Sequence, residues 1–212
     1  MTRRVGVLIS GRGSNMEALL RAAAEPGYPA EVALVLSNRP EAAGLATARA
    51  AGVEAVCVDH RPFGRDRAAH ERAVHDALTR RGVELVCLAG YMRLLTPYLV
   101  DAWTGRMLNI HPSLLPAFPG LDTHARALAA GVKLHGCTVH LVTHEMDAGP
   151  ILAQAAVPVL PGDTAEALAA RVLVQEHRLY PSALRLLAAG ERGRSEAAAA
   201  LVNPLPPGRD GS

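Results

Sequence analysis

The stretch Val5-Gly6-Val7-Leu8-Ile9-Ser10-Gly11-Arg12-Gly13-Ser14-Asn15 decides the fold. A short run of small and apolar residues, Val5 to Ile9, has the composition of a strand buried on both faces. A Gly-rich turn follows and opens a helix at Asn15. Free N–H groups and the positive dipole end of such a helix make an anion site, and glycines let a phosphate approach the backbone. Two common phosphate motifs do not fit. The dinucleotide fingerprint asks for a third glycine where Met16 stands, and for an acidic residue where the second strand closes with Ser37-Asn38. A P-loop needs Gly-Lys followed by Ser or Thr, which is missing here. The turn suits a single phosphate group better than NAD or ATP.

Outward from this turn the same rhythm repeats. Strand-like runs at Val32–Leu36, Ala55–Val58 and Leu85–Ala89 alternate with Ala-rich helical stretches at Asn15–Ala24, Glu41–Ala51 and Arg65–Arg81. The order βαβαβαβ predicts an α/β fold, a Rossmann-like, doubly wound and mostly parallel sheet. After Gly90 the pattern changes. A fifth strand is expected at Met107–Ile110, then a loop from His111 to Gly120 that Pro112, Pro116 and Pro119 hold in a fixed path. A helix fits Thr123–Ala130, and Leu134–Val142 with Ile151–Val157 predict an antiparallel extension of the sheet. Asp163 or Thr164 caps a last helix running to about Leu187. The expected organisation is a single domain over residues 1–190 and an extended or partly mobile tail over 191–212.

Composition narrows the function. The 212 residues are 50% hydrophobic and 20% charged, with 22 basic and 20 acidic side chains, a balance that argues against a nucleic-acid-coating protein. Cys57, Cys87 and Cys137 form no CxxC pair and no disulfide framework, which points to a reducing compartment. No secretory h-region and no membrane-spanning stretch is present, so a cytoplasmic protein is expected.

Asn109-Ile110-His111 places two polar side chains on one face of a strand end, because strand side chains alternate. In an open parallel sheet, ligands bind outside the carboxyl ends of the strands. An amide donating to a developing oxyanion beside an imidazole that moves protons suits acyl transfer. Asp147 is a candidate partner that would stabilise the imidazolium. His135, Cys137, His140 and His144 invite a zinc reading. The five-residue step from His135 to His140 reverses the strand face and no ligand signature supports it, so no metal is expected.

Taken together, Gly11-Arg12-Gly13-Ser14-Asn15, Leu88-Ala89-Gly90-Tyr91-Met92-Arg93, Leu108-Asn109-Ile110-His111-Pro112-Ser113-Leu114-Leu115-Pro116, His135-Gly136-Cys137-Thr138-Val139-His140 and Asp147-Ala148-Gly149-Pro150 resemble the phosphoribosylglycinamide formyltransferase family. The resemblance runs from Val5 to about Pro207. It implies the formyltransferase fold and transfer of a formyl group from 10-formyltetrahydrofolate, as co-substrate, to the amine of phosphoribosylglycinamide in purine synthesis. By motif, Asn109 would hold the oxyanion, His111 would donate the proton, and Asp147 would keep His111 charged. Gly13, Ser14 and Asn15 would take the substrate phosphate, with Gln175 and Glu176 at the ribose or glycinamide end. Met92, Arg93, Leu94, Leu95, Asn109, Thr143, His144, Glu145, Met146, Asp147 and Arg67 would form the folate site, with Arg65 competing for the place of Arg67. Arg12 stands where a smaller polar residue is expected and would add a phosphate contact. The implied partners are small molecules, with neither nucleic acid nor membrane, acting on a monomer or homodimer.

Two rival readings share the motifs. A formyltetrahydrofolate hydrolase would use water in place of the amine, and typically carries an N-terminal regulatory domain for which the residues before Val5 leave no room. A transformylase acting on initiator tRNA would need a further C-terminal domain and a basic surface. A reading from another class is a non-catalytic phosphosugar-binding module.

Overall fold

The computed structural model describes residues 2–190; the expected tail over 191–212 lies outside them. Among the described residues seven strands and six α-helices follow in this order: β1 Arg3–Ile9, α1 Ser14–Ala23, β2 Ala30–Ser37, α2 Gly44–Ala50, β3 Ala55–Cys57, α3 Arg67–Thr79, β4 Leu85–Leu88, α4 Pro97–Ala102, β5 Met107–His111, α5 Thr123–Ala129, β6 Leu134–Leu141, β7 Ile151–Pro158 and α6 Ala165–Ala188. One sheet has the order β3-β2-β1-β4-β5-β6-β7. It is parallel from β3 through β5 and antiparallel across β5–β6–β7, as expected from the sequence.

Burial on both faces explains the apolar strand runs. Val7 and Ile9 of β1 join the cluster under α1 and α6, with Leu108, Cys137 and Tyr180. Leu8, between them, joins the opposite cluster with Leu36, Val86, Leu99, Trp103 and Met107. Tyr180 is wholly buried on α6, and its hydroxyl reaches the main-chain oxygens of Leu88 (3.0 Å) and Leu108 (3.2 Å), fixing the helix against the end of β4 and the start of β5.

Element ends differ from the sequence reading for local reasons. α3 begins at Arg67 because Asp66 caps it, its carboxylate accepting from Ala69 N at 2.9 Å. α2 begins at Gly44, after a turn in which Ala42 N bonds Arg39 O (3.3 Å). α4 was not anticipated, although Thr96-Pro97 is a helix-start signal. Thr96 does not cap it; its side chain bonds the buried Glu71 instead. At α6 the choice between two caps resolves to Thr164, which accepts from Ala167 N, while Asp163 pairs with Arg171.

The strand order reverses at β1: successive strands run outward one way through β2 and β3, then the other way through β4 and β5. The carboxyl ends of β1 and β4 therefore flank a crevice. No helix of the described residues is long and apolar enough to cross a membrane.

Candidate active site

The Gly-rich turn lies in that crevice. A cavity of about 310 Å³ is lined by Ser10 to Asn15 on one side and Gly90 with Met92 on the other. Gly13 adopts φ 80°, a left-handed conformation that glycine takes without strain, and as the cap of α1 it offers no side chain to the helix end. The first N–H groups of α1 are thus left for a ligand. Arg12 and Arg39 border the same cavity. Asn15 donates to Glu176 Oε2 at 2.6 Å, bringing α6 to the turn. Burial pushes the Glu176 carboxyl up, and the Asn15 amide opposes that. Asn15 Oδ1 is buried without a partner. Gln175, half-buried beside Glu176, makes no side-chain hydrogen bond among the described residues.

Asn109 and His111 leave β5 on the same face, and the antiparallel register sets His140 of β6 opposite Asn109 and Thr138 opposite His111. His140 Nδ1 lies 3.0 Å from Leu141 O, and is assigned the proton there. Burial holds the His140 pKa below its ordinary value, against the Leu141 hydrogen bond and the Asp147 charge. Its Nε2 then has a lone pair for Asn109 Nδ2, 3.2 Å away. One amide hydrogen of Asn109 is fixed by this contact. The other is free to point at a reacting oxygen.

His111 is buried, with Nε2 donating to Phe118 O at 3.0 Å. Its Nδ1 faces Asp147 Oδ2 at 3.4 Å. The same carboxylate accepts from Gly120 N (2.8 Å), and its Oδ1 is 3.8 Å from His140 Nε2. Asp147 itself is in the left-handed region at φ 55°. Close by, a Cβ on Gly149 would fall 1.8 Å from Leu141 O, so the turn holding Asp147 can lie against β6 only with glycine there.

A second network fixes the proline loop. Thr138 Oγ1, fully buried, donates to Ser113 O (2.7 Å) and accepts from Leu115 N (3.0 Å) and Gln154 Nε2 (3.0 Å). Gln154 Nε2 also donates to Leu115 O (2.8 Å), next to the cis Leu115–Pro116 bond. This loop carries Phe118 O to His111.

The structure brings Asn109, His111 and Asp147 together, and Gly13, Ser14 and Asn15 with Glu176. Met92, which lines the cavity, and Leu94 and Met146 are more than half exposed, an unusual state for large apolar side chains. Arg67 donates to Leu94 O at 3.4 Å, whereas Arg65 only accepts, through its main-chain oxygen, from Arg67 N. The charge of Arg93 opposes the burial that raises the Tyr91 pKa and adds to the burial that lowers that of His70, and Leu95 packs into the cluster with Trp103. Thr143 Oγ1 donates to Glu145 O (3.1 Å). His144 turns to Asp101 at 2.8 Å, on the exposed surface of α4.

Three participants escaped sequence reasoning. His140 stands in the sequence as a possible metal ligand and as part of the His135–His140 motif with no role attached, and its contact with Asn109 follows from strand register. Phe118 O and Gly120 N are main-chain groups with no sequence signal. Among the described residues no group of three or more His, Cys, Asp or Glu is arranged to hold a metal ion.

A profile of the family described as "Formyl transferase" matches residues 3–184. The chain is 43% identical over 202 residues to phosphoribosylglycinamide formyltransferase of Escherichia coli strain K12, covering 95% of each. It is 48% identical over 187 residues to the trifunctional purine biosynthetic protein adenosine-3 of Bos taurus, covering 88% of this chain and 18% of that protein's length. Among solved structures, phosphoribosylglycinamide formyltransferase from Brucella melitensis is similar with a TM-score of 0.85 and 60% identity, covering 90% of this chain and 97% of that one.

Proposed function

The chain belongs to the formyl transferase family, and from that premise we propose that it transfers the formyl group of 10-formyltetrahydrofolate to the amine of N1-(5-phosphoribosyl)glycinamide. The products are formylglycinamide ribonucleotide and tetrahydrofolate, in purine biosynthesis. The observation that carries this reading is the convergence of Asn109, His111 and Asp147 at the carboxyl end of β5, the strand next to β4, whose end borders the Gly-rich cavity.

The turn at Gly13, Ser14 and Asn15 holds the phosphate through the N-terminal N–H groups of α1, with Arg12 adding charge at its rim. Glu176 and Gln175 face the ribose or glycinamide end. The bound folate supplies the formyl carbon and a leaving nitrogen; Arg67, Met92 to Leu95 and Thr143 to Asp147 line its side. As the amine nitrogen bonds to that carbon, the carbonyl oxygen becomes an oxyanion. The free Nδ2 hydrogen of Asn109 donates to it, and the Nδ1–H of His111, the ring nitrogen that Phe118 O leaves free and that Asp147 faces, supplies a second hydrogen bond. The carboxylate of Asp147 balances the ring's charge and accepts the proton shed by the amine, directly or through water, for return to the leaving nitrogen.

The test follows tetrahydrofolate release from 10-formyltetrahydrofolate with and without the ribonucleotide. Release that requires the ribonucleotide and yields its formylated product is expected. Release without it would make the protein a hydrolase, and binding of the ribonucleotide without turnover would make it a phosphosugar-binding module.

A further inference from the structure

We infer that Ser10 and Asn38 form a positioning bridge that fixes the loop of Met92 relative to the phosphate turn, and so sets the spacing of the two reactants. The inference rests on the reading above. Past the Ala89 N to Leu8 O hydrogen bond (2.9 Å), the chains following β1 and β4 run into separate loops. One is the Gly-rich turn, the other Gly90 to Leu95, and both line the same cavity. The Ser10 hydroxyl joins them. It accepts from Met92 N at 2.8 Å and donates to Asn38 Oδ1 at 2.6 Å.

A serine hydroxyl has one hydrogen, so giving it to Asn38 aims a lone pair at Met92. Asn38, 1% exposed at the end of β2, is held in turn: its main-chain oxygen accepts from His60 N (3.2 Å) and from His60 Nδ1 (2.8 Å). The bridge therefore joins the ends of β1, β2 and β4 across the crevice. Ser10 and Asn38 are both buried, so breaking their hydrogen bond would strand polar groups, and the hydroxyl keeps its lone pair on Met92 N–H. This accounts for an amide at the end of β2, where a dinucleotide-binding chain would carry an acid to hold ribose. The Asn38 side chain points at a hydroxyl of its own chain.

The experiment uses the full chain with Ser10→Ala, Asn38→Ala and the double variant. Three quantities are read: hydrogen exchange at the Met92 amide of the free protein, kcat, and KM for the ribonucleotide. Met92 is expected to be protected in the unmodified protein and to lose protection in Ser10→Ala. The kcat should fall about tenfold, the order of one lost hydrogen bond that misplaces a reactant. KM for the ribonucleotide should stay within about twofold, because the phosphate cradle is main chain of α1. The double variant should be no worse than the more damaging single one, since both cut one bridge. Should Ser10→Ala fail to fold, Asn38→Ala carries the same readouts. An exposed Met92 amide in the unmodified protein, unchanged kcat once protection is lost, or additive effects would each overturn the bridge. A protein with Met92 protected and no formyl transfer would overturn the proposed reaction and leave the hydroxyl contact standing.

Discussion

Asn109 has two amide hydrogens, and the structure commits only one of them. His140 takes that one because burial keeps its ring neutral and Leu141 O fixes which nitrogen carries the proton. The carboxamide is thereby aimed before substrate arrives, and an oxyanion donor that needs no reorganisation is worth far more than a mobile one. Asn109→Ala removes the donor without touching the phosphate turn, and should lower kcat about 100- to 1,000-fold. Affinity for the ribonucleotide, measured by calorimetry, should stay near that of the unmodified protein. Binding and turnover lost in equal measure would make Asn109 a structural residue of β5. The Asn-x-His pair was legible in the sequence because strand alternation puts both side chains on one face. His140 was not, because nothing in one strand's sequence says which residue of another lies opposite it.

Among elements, the proline loop after β5 depends most on its neighbours. Its path is held by Thr138 and Gln154 of β6 and β7, which bond Ser113 O, Leu115 N and Leu115 O. Thr138→Val keeps the side-chain volume but strands a buried N–H and a buried carbonyl. Loss of about 2 kcal/mol of stability is expected, read by urea unfolding. A fall in kcat of about tenfold should accompany it, because the loop delivers Phe118 O to His111 Nε2 and moving a catalytic group costs rate. A stable variant with unchanged kcat would show that His111 does not depend on this brace. The three prolines made a loop of fixed path legible, and Gly11 to Asn15 made the strand–turn–helix legible, because both follow from backbone restrictions at single residues. The helix at Pro97–Ala102 and the starts of α2 and α3 were missed or shifted. The first depends on Thr96 finding Glu71, which is tertiary information, whereas the other two are set by single local hydrogen bonds, Ala42 N to Arg39 O and Ala69 N to Asp66, that the run of Ala-rich composition does not mark.

At the scale of the molecule, charge is balanced while many histidines are buried. His70, His124, His135, His140 and His177 are all held below their ordinary value, in each case chiefly by burial. His135 is pulled farthest, from the ordinary 6.5 to about 4, with the neighbouring His124 ring adding to the effect. His124 Nδ1 is 3.2 Å from His135 Nε2, and the Phe118 ring lies edge-on to His135. Protonating this ring in place would put a charge in a buried site where only the Pro112 main chain favours it. Between pH 6.5 and about 4 the unfolded chain therefore binds a proton at His135 that the folded chain does not. The stabilisation is whole above pH 6.5 and is lost as pH falls through that window, with a slope of up to about 1.4 kcal/mol per pH unit from this residue. Glu176 acts oppositely, since its raised pKa lets the folded chain hold a proton the unfolded one has released, but it is one group against five. The thermal midpoint should thus fall steadily on acidification from pH 7 to 5, well above the range in which ordinary carboxylates titrate. His135→Gln should flatten that slope even if it lowers the midpoint at pH 7, because a side chain that cannot be protonated has no linkage to lose. A slope equal to that of the unmodified protein would mean that His135 takes up its proton in the folded state as readily as in the unfolded one.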